Sequence, residues 1–230
     1  MDNEQRTREL RPSALTKWEA VAVFAYIPIH FVLLPMPLAG LIQRGALSEA
    51  RGNLILYAVG AVYMLAFAGR FLRRDFDNVC DSPLGTLFGV AGSFVSLFAA
   101  NVIVGLVLSA FGFEENPNNG AVAEIAAAER GAMTAAAVFL APIVEELIFR
   151  AGIFGVLRRH SVKLAYIISV VLFSLYHVVG YTSLDASAWV YAVQYIPATM
   201  ILCRCYERHE SIWAPIFLHI LVNGLSMAVL

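Results

Sequence analysis

Two carboxylates and a guanidinium, Glu145, Glu146 and Arg150, lie within the otherwise apolar run 141–150. A charge at the centre of a membrane helix costs roughly 2.5–3.5 kcal/mol even by the mildest insertion measure, so such groups usually face a protein interior or a cavity. On a helix the adjacent glutamates point about 100° apart and take different roles. Glu146 and Arg150, four residues apart, have the spacing of a helical ion pair and support structure. Glu145 has no local partner. It is either a base that holds water or a carboxylate hydrogen-bonded to a neighbouring helix.

His177 and the pair His219/Asn223 stand in two further apolar runs, the latter two on one helix face. Each alone reads as an ordinary packed residue. Together with Glu145 they supply one carboxylate, two imidazoles and a carboxamide from three segments, more than an apolar bundle needs. The set suits hydrolysis. A glutamate with a nearby histidine can hold and deprotonate water for attack on a carbonyl. A histidine and an asparagine can donate to the developing oxyanion, with most benefit where bulk water is excluded. Glu145, His177 and His219 are also the residues that a catalytic Zn2+ would take as ligands. No close pair of histidines fixes such a site, and the metal-free reading, without a cofactor, is preferred. Ser174 lacks an orienting partner for nucleophilic catalysis, and Cys203 and Cys205 sit at a basic loop edge. His30, His160 and His209 are read as incidental.

These groups must be positioned by membrane helices. The 230-residue chain is 60% hydrophobic and 14% charged, with mean hydropathy +0.72, against about 25% charged residues in soluble domains. Its length suits one all-α bundle with no soluble domain. Sixteen basic against seventeen acidic side chains give no sign of a nucleic-acid partner. Cys80, Cys203 and Cys205 form no disulfide or metal pattern. The polar start lacks the order of a removable signal peptide.

Apolar runs near the roughly 20 residues needed to cross hydrocarbon occur at about 18–40, 52–72, 83–112, 131–150, 163–182, 186–203 and 211–229. About seven spans are expected, six to eight being compatible with the pattern. Pro28, Pro35 and Pro37 are expected to kink the first or end it early. An Ala-rich surface helix is expected before the fourth, opening near Asn118 or Asn119. Gly85, Gly89 and Gly92 suit close helix packing. Lys and Arg in alternate loop regions number twelve against three, which puts the N-terminus in the cytoplasm. The expected organisation is a cytoplasmic tail at 1–17, two N-terminal helices at 18–82 and a functional core at 83–230.

At the motif positions the chain resembles the CPBP family of intramembrane endopeptidases, which includes type II CAAX prenyl proteases and the bacterial Abi proteins. The paired glutamates followed by an arginine are Glu145-Glu146-Leu147-Ile148-Phe149-Arg150, preceded by Ala-Pro. The Phe ahead of a His is similar to Phe173-Ser174-Leu175-Tyr176-His177, and the His ahead of an Asn to His219-Ile220-Leu221-Val222-Asn223. The resemblance covers roughly 83–230. It implies that Glu145 activates water, that His177 assists, that His219 and Asn223 form the oxyanion site, and that Glu146 and Arg150 support them. The implied activity is hydrolysis of a peptide bond in a membrane-associated or lipidated protein or peptide, in a bacterial or archaeal cell membrane. The alternative is a non-proteolytic scaffold, chaperone or small transporter that uses the same polar cavity.

Overall fold

Within hydrocarbon every backbone amide must find its partner inside the chain, and a helix does this segment by segment. The computed structural model describes residues 13–182 and 186–230, and among them no strand is present. Six helices are long and apolar enough to cross a membrane. They are α1 (Lys17–Gln43), α2 (Glu49–Asp81), α3 (Pro83–Ala110), α5 (Arg130–Leu157), α6 (Val162–Thr182) and α7 (Ala186–His209). Between them lies the short α4 (Pro117–Ala128), and the shorter apolar α8 (Trp213–Val229) follows. The chain is therefore an integral membrane protein built as a helical bundle.

Helix α5 is the axis of the bundle. Of its most apolar stretch 61% is buried, against 11–28% in the other five spans. It packs on α1, α2, α6 and α8, and Val144, Leu147, Ile148 and Phe149 join the main core. Two stretches of α5, Ala135–Leu140 and Leu147–Phe154, wind as π-helix. Such wide turns alter which side chains face which neighbour and recur at functional sites. Helix α3 packs on α7 and α8 through a separate apolar cluster around Leu97, Leu202 and Leu218.

A polar clamp closes one end of the bundle. Asp75, near the end of α2, accepts from Ser13 Oγ, Ser211 Oγ at 2.8 Å and Ile212 N–H at 2.6 Å. Glu210, in the left-handed conformation (φ 44°) between α7 and α8, accepts from Arg158 Nη2 at 2.7 Å and Ser13 N–H at 3.0 Å. The tail, the end of α2, the α5–α6 turn and the α7–α8 turn thus meet. These are the four regions that carry the twelve basic residues, so they share one membrane face. Arg6, Arg8 and Arg11 of the tail lie outside the described residues.

The first span differs from expectation. Its prolines do not end it early: after Pro28 the helix widens over Ile29–Leu33, with Leu34 N–H donating to Ile29 O at 2.9 Å, and continues to Gln43. The wider turn lies between Pro28 and Pro35, and the helix passes both. Helix α2 runs beyond 72 to Asp81, and α3 is one unbroken helix. The surface helix is opened by Asn116, not Asn118 or Asn119. Asn116 precedes Pro117, and its side-chain oxygen accepts from Asn118 N–H at 3.0 Å. Of the three glycines, Gly89 meets the close-packing expectation across helices: a Cβ there would sit 2.1 Å from His209 Nε2, whereas one at Gly92 would meet open space.

Candidate active site

Glu145 and Glu146 lie in the short α-helical stretch of α5 between its two π segments. Both are buried, at 4% and 0% exposure, and Arg150 is also at 0%. Arg150 Nη1 donates to Glu146 Oε1 at 3.1 Å, as the four-residue spacing predicts. Its guanidinium lies 4.2 Å from the centre of the Phe173 ring, which adds a cation–π contact from α6. The structure therefore links the first motif to the second through Arg150 and Phe173.

His219, 8% exposed on α8, joins the third motif to the first. Its Nδ1 lies 2.7 Å from Glu146 Oε1, and its Nε2 lies 3.9 Å from Glu145 Oε2. A carboxylate only accepts, so Nδ1 carries the hydrogen and Nε2 is directed at Glu145. Glu146 thus holds both the arginine and the histidine, a wider role than its spacing to Arg150 indicates. Asn223 Nδ2 donates to the carbonyl of Ala137 at 2.8 Å, within the first π stretch of α5. A carboxamide nitrogen has two hydrogens, so one remains available.

His177 is held differently. Its Nδ1 donates to Phe173 O at 2.9 Å, and its ring stacks on Tyr195 with centroids 4.4 Å apart and planes 25° apart. Tyr195 accepts from Asn116 Nδ2 at 3.1 Å, and the same nitrogen reaches Gln194 Oε1 at 2.6 Å. Among the described residues no hydrogen bond or ion pair joins His177 to Glu145. Nor is any group of three His, Cys, Asp or Glu gathered as metal ligands, so Glu145, His177 and His219 do not form a ready cation cage.

Several residues around Glu145 are not signalled by the motifs. Tyr57 on α2 donates to Glu145 Oε1 at 2.8 Å and lies 2.7 Å, oxygen to oxygen, from Tyr176 on α6. His30, read from sequence as incidental, is 2% exposed and lies 3.4 Å from the Tyr176 hydroxyl. The wide turn at Ile29–Leu33 places it there, beside the rings of Tyr26, Tyr57 and Tyr176. The sequence signal was weak, since single tyrosines in membrane helices are common near the interfaces. His209 stays outside this cluster, packed on Gly89.

The comparisons with known proteins fall on the same helices. Residues 128–225 match the family model described as type II CAAX prenyl endopeptidase Rce1-like. A curated protein of Bacillus subtilis (strain 168), named "Putative membrane peptidase YdiL", is 30% identical over 142 residues, 61% of this chain. The chain spans about half the length of that relative (54%). No solved structure matches. The segment that holds all three motifs is thus also the segment similar to the type II CAAX prenyl endopeptidases, which supports the CPBP resemblance read from the sequence.

Proposed function

We propose that this protein is an intramembrane peptidase in which Glu145 activates the attacking water. The observation that carries the reading is the buried Glu145 carboxylate with one oxygen engaged by Tyr57 and the other facing His219 Nε2 across 3.9 Å, inside the family-matching segment. Oε2 is the oxygen left to take a proton. In the proposed reaction, Glu145 Oε2 accepts a proton from water as the water oxygen bonds to the scissile carbonyl carbon. The carbonyl electron pair moves onto its oxygen. Collapse of that intermediate breaks the C–N bond, and the proton passes from Glu145 to the leaving amine.

His219 and Asn223 are assigned to the oxyanion. Glu146 holds His219 through Nδ1 and so turns its Nε2 toward the site, and the second Asn223 hydrogen supplies a donor. His177, anchored through Nδ1, presents Nε2 as an acceptor that assists the water. If a metal took part, Glu145, His177 and His219 would be the side chains to test. The substrate class is a membrane-associated or lipidated protein or peptide, because the site belongs to helices embedded in the bilayer.

The test is purified protein in nanodiscs, incubated with an equimolar library of membrane-partitioning peptides that includes prenylated tails and signal-like helices, with products read by mass spectrometry. Cleavage by the wild type that is lost in Glu145→Gln is the expected result. Absence of any cleavage by a folded wild type would favour a scaffold or carrier.

A further inference from the structure

We propose that His30, Tyr176 and Tyr57 form a one-directional hydrogen-bond relay that positions Glu145, with His30 and Tyr57 on helices outside the segment that matches the family. The links are His30 Nε2 to Tyr176 Oη at 3.4 Å, Tyr176 Oη to Tyr57 Oη at 2.7 Å, and Tyr57 Oη to Glu145 Oε1 at 2.8 Å. The geometry fixes the direction. Glu145 Oε1 can only accept, so it uses the single hydroxyl hydrogen of Tyr57. Tyr57 must then accept from Tyr176, which leaves Tyr176 to accept from His30. His30 is therefore the Nε2–H tautomer, and every donor points toward Glu145. Aligned hydrogen bonds of this kind polarise one another.

A packing role does not account for His30. It lies among the rings of Tyr26, Phe31, Tyr57 and Tyr176, where phenylalanine would also fit. Its Nδ1 is buried without a hydrogen-bond partner among the described residues, an unfavourable arrangement that an apolar ring would avoid. The imidazole is explained by the donor on its other nitrogen. Tyr57 and His30 lie on α2 and α1, before residue 128, where the family match begins. The two N-terminal helices thus hold the carboxylate in register with His219, by occupying Oε1 and leaving Oε2 free.

The positioning role rests on the peptidase reading, but the relay itself is measured without a substrate. The infrared difference spectrum between wild type and Glu145→Gln in nanodiscs isolates the Glu145 carboxylate stretch. Tyr57→Phe is expected to shift that band most, and Tyr176→Phe and His30→Phe by less in that order. His30→Gln, which keeps an N–H, is expected to restore it. With the peptide cleaved best in the library, Tyr57→Phe should lower kcat roughly 10- to 100-fold, the range for a hydrogen bond to a charged group, and leave KM within about twofold. Replacement of Tyr57 by 3,5-difluorotyrosine keeps the shape and strengthens the donor, so the band should move the opposite way; this arm decides the matter if Tyr57→Phe does not fold. An unmoved band in folded Tyr176→Phe and His30→Phe overturns the relay, even where cleavage still depends on Glu145. Graded band shifts without any wild-type cleavage sustain the relay and overturn the peptidase reading.

Discussion

Glu146 and Glu145 are neighbours with different surroundings, and replacement should separate them. Removal of one partner from a buried ion pair leaves an uncompensated charge, which typically costs about 3–5 kcal/mol. Arg150→Ala is therefore expected to lower the thermal unfolding midpoint sharply in a nanodisc melt, because Glu146 is fully buried and also holds His219. Glu145→Gln can still accept from Tyr57, so its midpoint should stay close to that of the wild type while cleavage falls by roughly 10²–10⁴-fold, the range for loss of a general base. Equal destabilisation by both substitutions would contradict the division of roles. The Glu146–Arg150 pair was legible in the sequence because four residues make one helical turn. The contact of His219 with Glu146 was not, since it joins positions 73 apart, and no local period reports which face of α8 meets α5.

At the level of helices, α5 and α2 approach closely where the site lies. A Cβ on Gly60 would sit 2.6 Å from the Tyr26 hydroxyl and 2.9 Å from Val144 Cγ2, one turn from Tyr57 and one residue from Glu145. Gly60→Ala is expected to destabilise by about 1–3 kcal/mol through overpacking, and to displace the Glu145 carboxylate band in the infrared spectrum. A melt and a spectrum identical to wild type would show that α2 yields without disturbing the site. Hydropathy located the six long apolar helices and the shorter α8, which falls short of the seventh expected span. It did not reveal the wide turns at Ile29–Leu33, Ala135–Leu140 and Leu147–Phe154. Those turns place His30 and Arg150 and depend on neighbouring helices. For that reason the prolines of α1 read as a kink or an early end, and His30 as incidental.

For the whole molecule, the clamp at Ser13, Asp75, Arg158 and Glu210 gathers the regions that charge counting puts in the cytoplasm. Cys80 lies near that end of α2 and is exposed, while Cys203 and Cys205 are buried. A membrane-impermeant maleimide should therefore label the protein in inside-out vesicles and not in intact cells, and Cys80→Ser should remove the label. Labelling of intact cells would invert the orientation. Glu210→Ala removes the acceptor of Arg158 and of the Ser13 N–H, while Asp75 and Tyr206 still hold Ser13, so limited proteolysis should reach the N-terminal segment moderately faster, with little change at the opposite end. The twelve-to-three bias made the grouping of these loops legible, because Lys and Arg report topology directly. The clamp was hidden, because its members come from four separate regions. The experiment to make first is comparative terminomics on membranes from cells that express the wild type or Glu145→Ala at matched levels, reading new N-termini and new C-termini. Paired new termini from one peptide bond in a membrane-associated protein, present only with Glu145 intact, are the expected result. Identical termini in the two membranes, with both proteins folded, would contradict the peptidase reading.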